Sequence, residues 1–515
     1  MIFTLAGSQF MKDSFINERS KNGLEISVVF IFAAVSLFGI LHHEIWLDEA
    51  HHWLLARDSK SLTELWENTR YEGHPLLWNI ILYAVTRFTY DPLWMQVSHW
   101  AISVAVVTVF IYSSPLPRHW NVLFVFGYFM LFEYAMLSRN YSLLLLFFFL
   151  SLRFYARSRD VALGISLFFL SNTHLFGLII AGWLVIIILL SKPYGAQLQV
   201  KKSRSRKLGL VIFVFGALLS ILQIAPPGDS PFLPTVRTLF SSIGIERFLA
   251  VFLKAFLPIA DPFDYHFWNS NLITGISKIS AGVVSVILIF VTVLIAAETR
   301  KSLILFLGTS ISIIAVVIAL YPASIVQASR HFGILYIVFV GCIWLASGEE
   351  KTRYLTLLSA KTKGMLVTFL LLVQVVAGVI AFYLEIKRPF SESQNVVSFL
   401  EQNNFLQKPI ITFTAPIPAI SSYAQQKTYT MPSGEQAGFF SWGKKEIAVN
   451  TTSASDLLKK AEEFVADHGN EGILIVYQPI EETKNTRLLK AFTQGVVRVE
   501  NYYVYHISTA NRGND

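Results

Sequence analysis

The chain has 515 residues, of which 54% are hydrophobic and only 15% are charged. Soluble domains carry roughly 25% charged residues, so this composition excludes an ordinary soluble protein. The formal net charge is +8, but the residues from Lys387 onward hold 13 basic and 13 acidic side chains, so the excess lies before them. Basic loops between apolar segments indicate the inner side of a membrane, which explains the charge better than a nucleic-acid partner.

Long apolar runs occupy the part of the chain that carries this excess, for example LEISVVFIFAAVSLFGIL, which begins at Leu24. A helix needs about 20 mostly apolar residues to cross a bilayer, so several runs predict membrane spans. The single cysteine, Cys342, lies inside one of them, which excludes an intrachain disulfide. Basic residues precede the first run and no small-residue cleavage site follows it, so we predict a retained first helix with a cytoplasmic N-terminus.

The topology of the later loops depends on PLLWNIILYAV, residues 75–85. If this segment does not span the membrane, all the basic clusters that follow it lie on the cytoplasmic side, as basic loops prefer. If it does span, all these clusters lie on the external side. The first choice predicts a polytopic membrane protein of about 11 spans, with a transmembrane domain over residues 1–385 and an external first loop over residues 42–92. The next spans are expected near residues 95–112, 121–137, 142–156, 160–172 and 175–191.

The last part of the chain, residues 386–515, has a different composition. SESQNVVSFLEQNNF and SASDLLKKAEEFVADHG predict amphipathic helices with capping serines, whereas KPIITFTA, EGILIVYQ and VVRVENYYVYHIS predict strands. Alternating strands and helices indicate a small α/β domain, which the topology places outside the cytoplasm. The sequence leaves open whether this domain binds a substrate or forms a lid on the external loops.

Polar residues that packing does not explain collect at the external ends of the predicted spans. In the first loop they are Asp48, Glu49, His51, His52, Glu72 and His74. Beyond it they are Arg139, Tyr141, His174, Arg237, Lys254, Arg330 and His331. Taken singly, an arginine at a helix end commonly reaches the lipid headgroups, and an isolated histidine there is usually structural. Their convergence at one face favours a functional site.

Such a collection suits transfer of a group from a lipid phosphate. A carboxylate such as Asp48 can take the proton from an attacking hydroxyl. Arginines pair with phosphate and stabilise the charge that grows on it, and because phosphate leaves readily, no separate acid is required. The histidines could bind a divalent metal. However, adjacent residues do not share a helical face, so we assign no metal site, and we assign no other cofactor.

Short motifs in the chain resemble those of the GT-C superfamily of polytopic glycosyltransferases, near the protein O-mannosyltransferases and the bacterial lipid A aminoarabinose transferases. IWLDEAHHW is similar to the acidic first-loop motif, EGHPLLW to the histidine–proline motif, and SRNYSLLL to an Arg-x-Tyr helix start; SNTHLFG and SRHFGILY also match. The resemblance covers about residues 25–385. The chain departs from the pattern at His51 and His52, where relatives carry a tyrosine or a small polar residue.

The resemblance implies a helical GT-C fold, a polyprenyl-phosphate-linked sugar donor, an active site on the outer face and inversion at the anomeric carbon. It implies that Asp48 is the catalytic carboxylate with Glu49 beside it and that His74 supports the first loop. It also implies lipid-phosphate contacts by Arg139, Tyr141 and Arg330. We add His331 to the phosphate contacts, and we add Glu72, His51 and His52 to the first-loop supports.

The sequence therefore predicts a multi-pass enzyme, in a bacterial inner membrane, that transfers a sugar to an extracytoplasmic glycan, lipid or protein. The alternative is a transporter, or a flippase for a lipid-linked glycan, with an external binding domain. Transporters place ionisable groups near the middle of the membrane or contain inverted repeats, and neither is evident here. A sensor whose tail binds a cell-wall ligand is a third hypothesis, which the acidic motifs disfavour.

Overall fold

The structure is a computed structural model that describes residues 23–190, 199–228, 250–320, 328–348, 358–413, 415, 417–441 and 453–509. Its membrane region is helical. In chain order the helices are α1 (Gly23–His42), α2 (Leu47–Asp58), α3 (Leu62–Asn68), α4 (Leu77–Thr86), α5 (Leu93–Ser113), α6 (Arg118–Val125), α7 (Tyr141–Ala156), α8 (Asp160–Ser171), α9 (Leu175–Leu190), α10 (Gln199–Ile224), α11 (Leu272–Ile276), α12 (Lys278–Ala296), α13 (Arg300–Leu320), α14 (Ser329–Ala346) and α15 (Ala360–Lys387).

Seven helices in the described part of the chain are long and apolar enough to cross a membrane. They are α1, α5, α12, α14 and α15, together with residues 204–224 of α10 and residues 300–317 of α13. Helix α14 is buried along its length, so it lies at the centre of the bundle. The chain is an integral membrane protein, as predicted, and the count of about 11 spans stays a prediction.

Residues 42–92 fold as helices α2 to α4 with a 3₁₀ turn at Thr69–Tyr71. Helix α4 contains most of PLLWNIILYAV and is ten residues long. At 1.5 Å per residue it rises about 15 Å, which is half of the roughly 30 Å hydrocarbon core of a bilayer. It is too short to cross, and this supports a first loop that stays on one side of the membrane.

The helix predicted at residues 121–137 is interrupted in the structure. Helix α6 ends at Val125, a π-helical turn covers Phe129–Glu133, and residues 134–140 are irregular. Gly378 of α15 packs against this break, where a Cβ would lie 3.0 Å from a backbone nitrogen. Irregular backbone at membrane depth is tolerated where it is buried in protein and its polar groups are bonded. This irregular stretch carries part of the site described below.

The C-terminal domain contains α16 (Ser393–Gln402), β1 (Ile410–Phe413), α17 (Pro418–Tyr423), β2 (Thr428–Met431), β3 (Glu435–Ala437), α18 (Ala454–Asp467), β4 (Glu471–Val476), β5 (Thr486–Phe492) and β6 (Tyr502–Ser508). The strands form one six-stranded sheet in the order β3-β2-β1-β4-β6-β5. Strand β1 is parallel to β2 and β4, and the other neighbours are antiparallel. The predicted small α/β class is confirmed.

Alternate side chains of β1 and β4 enter two different apolar cores. Ile410 and Ile473 pack on the side of α16 and α17, whereas Ile411 and Leu474 pack on the side of α18. A strand with apolar residues on both faces needs a helical layer on each side. The domain is therefore a sandwich of helices, sheet and helix.

The strand predicted over VVRVENYYVYHIS is wrong for its first half. Strand β6 begins only at Tyr502, because the preceding residues find hydrogen-bond partners outside the sheet. Val496 N–H donates to Pro389 O at 2.9 Å and Val497 N–H donates to Phe390 O at 3.1 Å. This segment lies against the end of α15 instead of extending the strand.

The C-terminal domain also packs on the first loop. Helix α17 lies against α2, and Arg57 Nη1 donates to Ser421 O at 3.3 Å. The first loop and the C-terminal domain therefore lie on the same side of the membrane, as the predicted topology requires.

Candidate active site

Asp48 lies in the first turn of α2, and its carboxylate meets two guanidinium groups. Asp48 Oδ2 lies 2.8 Å from Arg330 Nη2 and 3.2 Å from Arg139 Nη1. Arg139 also donates to the carbonyl oxygen of Asp48 at 2.9 Å. These contacts join the first loop, the irregular segment before α7 and the start of α14. The Asp48 side chain keeps 25% of its surface exposed, so its carboxylate is both held in place and accessible.

The charge state of Asp48 follows from its neighbours. Burial by itself would raise the pKa of Asp48, but the positive charges of Arg139 and Arg330 outweigh burial, and the pKa lies below its usual range. Asp48 is therefore ionised at neutral pH and can accept a proton. The same two guanidinium groups have the charge and geometry to bind a phosphate.

Aromatic rings orient Arg330 at the start of α14. Its guanidinium carbon lies 5.3 Å from the ring centroid of Trp46 and 5.5 Å from that of Trp268. Such cation–π contacts hold a guanidinium without neutralising it. Trp268 N–H in turn donates to Glu133 Oε2 at 3.3 Å. The run ADPFDYHFW, which ends at Trp268, is noticeable in the sequence, but no local pattern tells which helix end its aromatic residues contact, and sequence reasoning missed Glu133.

Glu49 follows Asp48 directly but bonds different partners. Glu49 Oε2 lies 2.8 Å from His43 Nε2, whose Nδ1 lies 2.6 Å from Glu385 Oε1. The peptide N–H of Ser138 donates to the other carboxylate oxygen of Glu49. Burial opposes a charged imidazole, but the two carboxylates prevail and hold the pKa of His43 well above its usual value. This buried chain cross-links α1, α2 and α15, so the contacts of Glu49 are those of a positioning group.

Sequence reasoning did not single out His43 or Glu385. A usable signal was present for His43, which lies six residues before Glu49 in the same polar stretch. No signal was available for Glu385, because it lies in α15, the last helix of the membrane region, far from Glu49 in the sequence.

Tyr141, His331, His174 and His74 lie together beside the arginines. Tyr141 Oη bonds His331 Nδ1 at 2.8 Å. The rings of Tyr141 and His174 are 5.0 Å apart between centroids, and those of His174 and His74 are 4.5 Å apart. Phe176 N–H donates to His174 Nδ1 at 3.0 Å, so neutral His174 carries its proton on Nε2. The structure thus brings these four predicted residues into one cluster.

The charge of this cluster is low. Burial, followed by the nearby charge of Arg139, lowers the pKa of His74 to about 3. Burial also lowers the pKa of His174 well below its usual value. At neutral pH these imidazoles therefore act as neutral hydrogen-bonding groups, and the positive charge beside Asp48 comes from the two arginines.

His51 and His52 attach α2 to the rest of the first loop. His51 Nε2 lies 2.9 Å from Glu72 Oε1, and His52 Nδ1 lies 3.0 Å from Asn79 Oδ1. Because successive residues on a helix point about 100° apart, the two rings reach different partners. Burial lowers the pKa of His52 well below its usual value. The contacts of both histidines are those expected of residues that support the first loop.

Lys254 lies behind the start of α14 and does not touch Asp48. Its ammonium donates to Asn269 O at 2.7 Å, and Asn269 Oδ1 accepts the N–H of Ser329 at 2.7 Å. Burial lowers the pKa of Lys254 to about 8. Arg237, the other predicted candidate of that loop, lies outside the described residues.

The histidines do not assemble with acidic residues into a metal cage. Among the described residues, no group of three or more His, Cys, Asp or Glu side chains is placed to hold a metal ion. The neighbouring imidazoles bond Tyr141, Asn79 and Glu72 instead.

Comparison with known proteins supports the fold. No protein-family model matches the chain, and no curated protein matches its sequence. Among solved structures it is similar to ArnT from Cupriavidus metallidurans bound to undecaprenyl phosphate, with 11% identity and a TM-score of 0.53 over 96% of this chain and 100% of that chain. The apo state of the same protein matches with 11% identity and a TM-score of 0.50 over 93% and 97% of the two chains.

At this level of identity the likeness concerns the fold. ArnT is a lipid A aminoarabinose transferase with the GT-C fold, and the present chain has that fold over nearly its whole length. The predicted GT-C-like architecture, with membrane helices followed by a small sheet domain, is thereby confirmed.

Proposed function

We propose that this chain transfers a sugar from a polyprenyl phosphate to an acceptor hydroxyl outside the cytoplasm, with inversion at the anomeric carbon. The observation that carries the proposal is the Asp48 carboxylate held between Arg139 and Arg330. A carboxylate that can accept a proton thus lies beside two guanidinium groups that can bind a phosphate. The likeness to ArnT, whose structure contains undecaprenyl phosphate, supports a polyprenyl phosphate as the lipid partner.

The two arginines would bind the donor through its phosphate. Guanidinium groups match phosphate oxygens in a bidentate manner and keep their charge at any physiological pH. They would also stabilise the second negative charge that develops on the phosphate as the sugar leaves. Tyr141 and His331, bonded to each other beside this position, offer neutral hydrogen-bonding groups to the same headgroup.

In the transfer step the acceptor oxygen attacks the anomeric carbon from the face opposite the phosphate. The bond from that carbon to the phosphate oxygen breaks, and polyprenyl phosphate leaves with the bonding electron pair. Asp48 takes the proton of the acceptor hydroxyl. A single displacement of this kind inverts the configuration, and phosphate needs no proton to leave.

Donor binding would also activate the base. In the structure the Asp48 carboxylate forms ion pairs with Arg139 and Arg330, and these pairs lower its proton affinity. A phosphate that engages the same guanidinium groups draws them away from Asp48. The proton affinity of the carboxylate then rises when the donor is in place, which couples donor binding to proton abstraction.

We further propose that residues 1–385 form the catalytic membrane domain, that residues 386–515 form an extracytoplasmic domain, and that the site faces outwards. The basic loops support this orientation, because lysine and arginine prefer the cytoplasmic side. In a bacterium the membrane is then the inner membrane, and the acceptor is a glycan, a lipid or a protein of the envelope.

The test is a comparison of envelope glycolipids and glycans between cells with and without the protein. Loss of one glycan in the deleted strain, restored by the wild-type chain and not by an Asp48→Asn chain present at the same level, is the expected result. Unchanged glycans together with a lipid-linked glycan held on the inner leaflet would instead identify a flippase and overturn the proposal.

A further inference from the structure

The C-terminal domain holds the turn that leads into the helix of Asp48. Ile45 N–H donates to Tyr423 Oη at 2.8 Å, and Ser393 Oγ donates to Ile45 O at 3.1 Å. Two residues later, Leu47 N–H donates to Glu500 Oε1 at 2.5 Å. Three side chains of the domain therefore bond the backbone of residues 45–47, directly before Asp48.

The bond from Glu500 is made at a sensitive point of α2. Leu47 is the first residue of the helix, and its N–H is one of the donors that an α-helix leaves without a partner inside the helix. A carboxylate at this end also meets the positive end of the helix dipole. Glu500 is fully buried, so water does not compete for this bond, and its loss would leave the N–H of Leu47 without its acceptor at the start of α2.

Glu500 is placed by a segment that departs from the sheet, residues 494–500, which we call the strap. On one side the strap pairs with Pro389 and Phe390 through the N–H groups of Val496 and Val497. These bonds connect it to the residues that directly follow α15.

On its other side the strap bonds the loop that carries Trp268. His266 Nδ1 lies 2.9 Å from Val496 O, and Arg498 Nη2 lies 2.9 Å from Asp264 Oδ2. Glu500 is thus fixed relative to α15, to the loop behind Arg330 and to α2 at the same time.

We infer that Glu500 is a positioning residue for Asp48, and that the C-terminal domain completes the active site of the membrane domain by holding the start of α2. The inference rests on the proposed role of Asp48 as the base. It also disfavours a domain that acts only as a lid, because such a lid would not need to bond the backbone beside the base.

The test uses the full-length protein in lipid nanodiscs, with Glu500→Ala, Glu500→Gln and a matched control, Glu462→Ala. Glu462 is also a buried carboxylate of the C-terminal domain, but it bonds Thr483, Asn485 and Thr486 inside that domain. The measurements are kcat, the donor KM, and amide hydrogen exchange of the peptide that covers residues 45–52.

Glu500→Ala should lower kcat by about tenfold or more, the effect of 1.4 kcal/mol, because the N–H of Leu47 loses its buried acceptor. The donor KM should change less than threefold, and the 45–52 peptide should exchange faster. Glu500→Gln keeps an oxygen that accepts from Leu47 N–H and should recover most of kcat. Glu462→Ala should leave both kcat and the exchange of this peptide close to those of the wild type.

Two results separate this inference from the proposed function. If Asp48→Asn abolishes transfer while Glu500→Ala keeps wild-type kcat and exchange, the positioning role is overturned and the catalytic assignment stands. If Glu500→Ala speeds exchange at residues 45–52 but Asp48→Asn retains full turnover, the domain does hold α2 and the assignment of the base is wrong.

Discussion

Asp48 Oδ2 lies 2.8 Å from Arg330 Nη2, where the first helix of the first loop, α2, meets the N-terminus of the buried helix α14. The two residues are 282 positions apart in the chain. Their contact brings together the proposed base and a proposed phosphate ligand, and Arg139 adds a second guanidinium from a third element.

Replacing the base should stop transfer without removing the donor site. Asp48→Asn removes the charge that accepts the proton while keeping the size of the side chain, so kcat should fall by about 10²–10⁴-fold. Binding of undecaprenyl phosphate, followed by tryptophan fluorescence, should persist. Asp58→Asn, on the same helix and paired with Arg57, is the matched control and should keep turnover. Full turnover in Asp48→Asn would remove Asp48 as the base.

Removing Arg139 should weaken the donor more than the acceptor. Arg139→Ala deletes one of the two charges beside the proposed phosphate position, so undecaprenyl phosphate should bind at least about tenfold more weakly, the effect of 1.4 kcal/mol. Arg118→Ala removes a guanidinium that pairs with Glu25 at the opposite end of α1, and it should leave binding unchanged. An equal loss of donor and acceptor affinity in Arg139→Ala would argue against a phosphate contact.

The pH below which transfer is lost should rise when an arginine beside Asp48 is removed. Burial raises the pKa of Asp48, and Arg139 and Arg330 bring it below the ordinary value of 3.8. In Arg139→Gln the burial effect is opposed by one arginine fewer, so the pKa of Asp48 in the donor-free enzyme rises. The acid limb of the kcat/KM profile, which reports the free enzyme, should therefore shift to higher pH. An unshifted limb would mean that another group controls it.

Glu44 should make the stability of the protein depend on pH. Burial raises its pKa to about 7, and the N–H of Phe390, which donates to it at 2.7 Å, opposes the rise. The folded state therefore binds this proton more tightly than the unfolded chain does. The resulting stabilisation is present below about pH 4.5 and is lost as pH rises towards 7.

Glu44→Gln carries no titratable group and keeps an acceptor for Phe390. Its Tm should therefore fall less than that of the wild type between pH 5 and pH 8, as measured in the same detergent. An identical fall in both proteins would show that Glu44 does not take up this proton.

His43 should be essential for stability although it does not touch Asp48. Its imidazole separates the carboxylates of Glu49 and Glu385. His43→Ala would leave two buried carboxylates together and should destabilise the protein by about 3–5 kcal/mol. His42→Ala removes the exposed neighbouring ring, which bonds Phe38 O, and should cost much less. A similar loss of Tm in both variants would contradict the cross-linking role.

Much of the fold could be predicted because it depends on local properties. Apolar runs identified α1, α5 and α7 to α9 within one or two residues, since membrane helices are marked by hydropathy, although α7 to α9 are shorter than the seven helices that are long enough to cross. KPIITFTA and EGILIVYQ were predicted as strands, and they contain β1 and β4. The break after Val125 was not predicted. It lies against Gly378 of a distant helix, and no local pattern encodes such a contact.

The site was predictable as a list of residue types and less so as an arrangement. Asp48 and Glu49 are adjacent and chemically similar, and the sequence treats them alike. A helix turns about 100° between them, so one carboxylate reaches Arg139 and Arg330 while the other reaches His43. Tyr141 and His331 were predicted separately, and the structure brings them to 2.8 Å.

By itself the sequence determined that this is a polytopic membrane protein with an α/β tail, and that its acidic and imidazole groups lie beside the first span. These properties follow from the hydropathy, charge and periodicity of single segments, each of which can be read without the others. Only the tertiary structure decided that Asp48 meets the arginines, that Glu49 serves the buried cross-link, and that Glu500 bonds Leu47 across 453 positions of chain. Such contacts depend on how separate elements pack, and no local pattern encodes that packing.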